Sequence, residues 1–158
     1  MKDVRAALPR SAVSWLVVDD RPWPVWHAVD GERLYVVSGS GEQELPVLPH
    51  EIQVILRTKD THARVGPVPA KAFRLHPGVP AWETAITALM AARQGAPGEA
   101  VLDRWKASAS VWAIDVDTDA PQSPPASDEP SGAHQPWPTS ATTNTRLPRH
   151  LGRLRRRG

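Results

Sequence analysis

Asp30-Gly31 stands between two apolar runs, residues 25–29 (Val-Trp-His-Ala-Val) and residues 34–37 (Leu-Tyr-Val-Val). Glycine takes positive φ at no steric cost, so this dipeptide reads as a tight turn and the runs as the two strands of a hairpin. A hairpin built from such runs commits the early part of the chain to antiparallel sheet. The second run passes into Ser38-Gly39-Ser40-Gly41, a loop that a ligand can approach closely because glycine has no side chain to hold it off.

The flanking segments continue the sheet. Residues 13–18, around Trp15, form a strand that is apolar on both faces at its end, and Asp19-Asp20-Arg21-Pro22 form the turn that follows. Residues 45–49 hold two prolines and read as a packed, extended connection. Residues 52–57 place Ile52, Val54 and Leu56 on one face of a further strand. A fifth strand over residues 63–75 is interrupted by Gly66-Pro67-Val68-Pro69. A central strand does not tolerate two prolines, so a bulge or an edge is expected there.

From Pro80 the period changes. Trp82, Ile86, Leu89 and Met90 fall at i, i+4, i+7 and i+8, one face of a helix, with Pro80 in its first turn and Gly95 as its stop. Pro97 opens a second helix with Val101, Leu102 and Trp105 facing inward, and residues 111–116 form the closing strand. Five short strands, two helices and a last strand leave no room for parallel crossovers. A small closed or partly open antiparallel barrel covered by the two helices removes the sheet edges most simply.

After residue 118 the pattern is lost. The 158-residue chain has 17 prolines, and the stretch to residue 145 is rich in Pro, Ser, Thr and Ala, with Trp137 its one large apolar side chain. Such a segment buries too little surface to offset its ordering entropy, so residues 1–118 are expected to form the domain and residues 119–158 a disordered tail. The charge is distributed accordingly: net −1 over residues 1–118 and net +3 beyond. Arg146 and Arg157 bound an arginine-rich end in which Leu147, Leu151 and Leu154 share helical spacing. This end is the only part of the chain expected to attract nucleic acid, against the plainer reading of an extension without selected function. The absence of cysteine excludes disulfides, thiolate metal sites and Cys nucleophiles. No secretory signal or membrane-length apolar run is present, and a cytoplasmic protein is expected.

Trp15-Leu16-Val17-Val18, Pro24-Val25-Trp26-His27-Ala28-Val29-Asp30-Gly31 and Leu34-Tyr35-Val36-Val37-Ser38 together resemble the FMN-binding split barrels, the pyridoxamine 5′-phosphate oxidase-like superfamily. Arg57-Thr58-Lys59-Asp60 and Trp82-Glu83 resemble a group of small actinobacterial members. The resemblance spans about residues 8–117. It implies a mainly β fold, a six-stranded antiparallel split barrel with two short covering helices, to which composition adds the disordered C-terminal tail. It also implies a homodimer holding FMN or a deazaflavin at its interface, and a flavoprotein oxidoreductase activity. Ser38 falls where the family places a hydroxyl near the flavin phosphate. Where a cation usually follows, this chain has Gly41-Glu42-Gln43-Glu44, and two carboxylates beside a phosphate repel it.

The cofactor-binding candidates are therefore Trp26, His27, Ser38, Ser40, Arg57 and Lys59. The Gly/Ser loop reads either as a nest of phosphate-binding amides or as an ordinary turn. Arg57 and Lys59 read either as substitute cations or as a solvated strand end, and one of Trp26 and His27 is expected to face the ligand while the other packs. Trp82 and Trp105 read as core. His50, His62 and His76 lie in separate loops without metal-ligand spacing, and no catalytic set follows from spacing alone. Three functions remain open: a flavin-binding split barrel, a barrel that has lost its cofactor and serves as a binding or dimerisation module, and a barrel whose arginine tail tethers it to nucleic acid.

Overall fold

The computed structural model of the chain describes residues 3–39, 41–95 and 98–121. Helix α1 (Val4–Ala7) and a 3₁₀ turn (Leu8–Arg10) lead into strands β1 (Ser11–Val18), β2 (Arg21–Trp26), β3 (Ala28–Asp30) and β4 (Arg33–Ser38). Strands β5 (Glu51–Thr58) and β6 (Arg64–Leu75) follow, then helices α2 (Pro80–Ala92) and α3 (Glu99–Ser108), and strand β7 (Ser110–Val116). The fold is mainly β, a curled antiparallel half-barrel with three short helices. The expected arginine-rich tail, Ser40 of the Gly/Ser loop and Pro97 lie outside the described residues.

Seven strands are described where six were expected, because the run over residues 25–29 divides at His27. The sheet order is β2-β1-β5-β6-β7-β4-β3, all pairs antiparallel. β2 and β3 are thus the two ends of the sheet, yet one residue separates them. Consecutive Cα atoms lie about 3.8 Å apart, so the sheet must curl back on itself until its two edges meet at His27. They meet there without pairing.

Proline marks both places where the ladder is open. Pro22 and Pro24 lie within β2, opposite Val17 and Trp15 of its single partner β1, where a missing N–H leaves no acceptor stranded. The turn before β2 is correspondingly shorter than expected. Asp19 and Asp20, at φ 50° and 61°, form a two-residue hairpin loop, and Arg21 and Pro22 already belong to the strand. Pro67 and Pro69 lie in the half of β6 that pairs with β5 alone, since β7 joins only from Ala70 onward. The register there shifts between Val54 and Leu56. Gly66, at φ +105°, sits where a Cβ would come within 2.6 Å of the Val54 carbonyl. The expected bulge and the expected edge are both present in one segment.

The hairpin expected around Asp30-Gly31 is β3–β4, and its turn is one residue later than expected. Asp30 pairs with Arg33, leaving Gly31-Glu32 as the loop with Gly31 at φ +60°. β4 and β7 are apolar on both faces because each separates two cores. Leu34, Val36, Trp112 and Ile114 face the barrel interior with Leu16, Val54 and Leu56. Tyr35, Val37, Val111 and Ala113 face the helices, where Trp82, Ile86, Leu89 and Trp105 cover them. Trp82 and Trp105 are core, as read from their spacing. Losing either side chain would cost roughly 3–5 kcal/mol. α2 begins at Pro80 and ends at Ala92, short of Gly95, and α3 begins after Gly98.

Candidate functional site

His27 is the corner where the two sheet edges meet, and its side chain turns inward, with the residue only 5% exposed. Its Nε2 shares a 2.8 Å hydrogen bond with Ser14 Oγ, and Ser14 on β1 is itself fully buried. Nδ1 is buried and has no hydrogen-bond partner among the described residues. Burial pushes the ring down to about 4, opposed by hydrogen bonding with the Ala28 backbone and reinforced by the Lys59 charge. The imidazole is therefore neutral at neutral pH and offers one unsatisfied nitrogen. Buried polar atoms without partners are rare, and a bound group would satisfy this one.

His27 lines a cleft of about 740 Å³ between the β1–β2–β3 corner and the C-terminal half of α2. Trp26, Val13, Val29, Ala88 and Ala91 form apolar wall, while Lys59, Glu42 and Arg93 supply charge. The size and the mixture of apolar wall with a few polar groups are those of a small-molecule site. Lys59 is held by its own N–H, which donates to the Arg10 carbonyl at 2.9 Å. Among the described residues no carboxylate lies within ion-pair distance of its ammonium. The neighbouring Asp60 is taken by Arg10.

The loop after β4 fastens this corner together. The Gln43 side-chain carbonyl accepts from the Trp26 N–H at 2.8 Å, and its amide donates to the carbonyls of Trp26 and Val37 at 2.9 and 3.0 Å. One side chain thus bonds backbone on both sides of the unpaired corner. Glu42, with a side chain only 6% exposed, points the other way. Its Oε1 accepts from Arg93 Nε at 3.1 Å, Arg104 Nη2 at 3.1 Å and Trp105 Nε1 at 3.2 Å. The acid expected to repel a phosphate is held by two guanidinium groups and ties the loop to α2 and α3.

Of the residues singled out from the sequence, the structure brings Trp26, His27 and Lys59 to one cleft. Ser38 is buried in the β4–β7 ladder opposite Ser110 and does not line it. Arg57 is exposed on the face of β5 opposite Leu56 and likewise stays outside. In the Gly/Ser loop the Gly39 N–H donates to the Gln43 carbonyl at 2.9 Å and the Glu42 N–H to the Gly39 carbonyl at 3.0 Å. One amide of the anticipated nest, that of Gly39, is therefore engaged within the loop. Ser14, Gln43 and Arg93 were not read as site residues. A small polar residue inside an apolar strand was the available signal for Ser14, whereas Gln43 and Arg93 carried none.

No protein-family model and no curated protein matches the chain. Solved structures similar to it include the following two. One is from Bacteroides thetaiotaomicron and is named for 5-nitroimidazole antibiotic resistance; it has 12% identity, a TM-score of 0.46, and covers 71% of this chain and 76% of its own. The other, from Listeria innocua, is named as a pyridoxamine 5′-phosphate oxidase; it has 18% identity, a TM-score of 0.42, and covers 71% of this chain and 89% of its own.

Two other surfaces frame the cleft. The outer face of β1 carries Val13, 44% exposed, with Trp15 and Val17, and register places Pro24 and Ile55 beside Trp15. On the far side of the barrel a second cleft of about 760 Å³ is lined by Asp19, Asp20, Glu51, Asp115 and Asp117 together with Lys71. Among the described residues no three metal-ligating side chains converge, and no helix is long and apolar enough to cross a membrane.

Proposed function

We propose that this chain is a flavin-binding split-barrel protein that holds FMN or a deazaflavin in the cleft at His27. The observation that carries the reading is the buried, unpartnered Nδ1 of His27 at a cleft walled by Trp26 and reached by Lys59. The donor set fits the group. A flat heteroaromatic ring has apolar faces for Trp26, Val13 and the α2 alanines, and a polar edge for His27. Lys59 supplies a cation for a negatively charged portion. A bound flavin would supply hydride or electron transfer. The chain's own residues orient the ring and exclude water, and His27, neutral at neutral pH, hydrogen-bonds without adding charge.

The proposal includes a homodimer. The outer face of β1, with Val13, Trp15 and Val17, is an apolar sheet surface of the kind that a second copy covers. The second reading, a binding or dimerisation module without cofactor, is favoured by the loop amides of Gly39 and Glu42, which are spent within the loop.

Titration of the purified full-length chain with FMN and with a deazaflavin, followed at the flavin absorbance bands, separates the two. Saturable uptake supports the cofactor reading. Colourless protein that takes up neither ligand leaves the module.

A further inference from the structure

The charged groups at the cleft divide unevenly. Lys59 and Arg93 line it and Arg104 stands behind Glu42, so the cleft gathers three cations and one carboxylate, which pairs with the two arginines and not with Lys59. That carboxylate is already committed, because one oxygen accepts from Arg93, Arg104 and the Trp105 indole at once. His27, being neutral, compensates none of the surplus. Excess positive charge at the wall favours an anion, and a guanidinium fixed through Nε to a carboxylate is pre-oriented to present its remaining donors. In the Gly/Ser loop the Gly39 amide is already spent on the Gln43 carbonyl.

We propose that the anionic group of the ligand, the phosphate of a flavin mononucleotide, is taken by Arg93 together with Lys59, and not by the Ser38-Gly39-Ser40-Gly41 loop. This rests on the flavin reading above. Arg93 is the specificity-determining residue in this arrangement, and Glu42 is a positioning residue that acts through it. The site distinguishes FMN from riboflavin, which has the same ring and no phosphate.

The test titrates the full-length wild-type chain, Lys59→Gln and Arg93→Gln with FMN and with riboflavin by flavin fluorescence. Melting in inorganic phosphate, against sodium chloride of equal ionic strength, runs alongside. FMN is expected to bind the wild type about tenfold or more tighter than riboflavin, and each variant to bring FMN close to the riboflavin value while leaving riboflavin unchanged. Arg93→Lys, which keeps a cation for Glu42, stands in should Arg93→Gln fail to fold, and is expected to recover part of the FMN preference. Equal affinities for FMN and riboflavin in the wild type, or an FMN preference that Lys59→Gln and the Arg93 variants leave intact, overturn the proposal while the flavin reading stands. Should neither flavin bind, the flavin reading falls and the phosphate melts decide. A rise in melting temperature that is lost in Lys59→Gln upholds the anion site, and no rise overturns it.

Discussion

The side-chain amide group of Gln43 hydrogen-bonds both the N–H and the carbonyl of Trp26, as a neighbouring strand would. A third bond reaches Val37, so Gln43 fastens β2 to β4 across the one corner that the sheet leaves unpaired. Gln43→Ala removes three hydrogen bonds from a half-buried position and is expected to destabilise the fold by about 2–3 kcal/mol in urea unfolding. Gln43→Glu keeps the acceptor and loses both donors, and should cost at least as much at neutral pH. A change below about 0.5 kcal/mol would show that the corner holds without it.

His27 makes stability depend on pH in a stated direction. Its folded-state value of about 4 lies below the ordinary 6.5, so as pH falls the unfolded chain takes up the proton first. The contribution is complete above about pH 6.5 and is lost progressively down to about 4, some 3 kcal/mol in all and about 2 kcal/mol of it by pH 5. Urea melts at pH 7 and pH 5 measure the loss. In His27→Gln the difference attributable to this residue should disappear.

Glu42→Ala leaves Arg93, Arg104 and the buried Trp105 indole N–H without their shared acceptor. Removing one partner of a largely buried ion cluster is expected to cost roughly 3 kcal/mol. Glu42→Gln, which retains an acceptor oxygen, should cost less. Equal melting temperatures for Glu42→Ala and the wild type would remove the loop's anchoring role.

Gly66→Ala sets a side chain against the Val54 carbonyl at 2.6 Å on a backbone of φ +105°. Both effects oppose the native state, and a loss of about 2 kcal/mol or more is expected in thermal or urea unfolding.

Trp15→Glu places a charge on the outer face of β1. Sedimentation at micromolar concentration is expected to show a dimer for the wild type and a monomer for the variant, with the fold retained by circular dichroism. A wild-type monomer would refute the dimer.

Alternation and turn chemistry made most of the barrel legible, because they are local. Ile52, Val54 and Leu56 read inward and are inward, and that same alternation already placed Arg57 on the opposite face, a consequence not drawn from the sequence. The run over residues 25–29 looked like one strand because nothing local says that its two halves pair with different neighbours. Glu42 was legible as a charge and illegible as a partner. Arg93 and Arg104 lie 51 and 62 residues further on, and only the fold brings them to it. Trp26, His27 and Lys59 were singled out because an aromatic, an imidazole and an ammonium carry chemistry in their identity, and all three line one cleft. Gln43 carries its role only in its position.

In the sheet order, β7 is the link through which the β3–β4 hairpin joins β6 and the rest of the ladder. Until residue 116 has left the ribosome, that hairpin is tethered to the first four strands of the order through His27 and has no ladder to dock on. Closure of the sheet therefore waits for the pairing of Ser38 with Ser110 and its neighbours, a contact of large sequence separation and correspondingly slow formation. The cleft is a late product of synthesis, and a chain stopped within β7 would lose it while still carrying every residue that lines it.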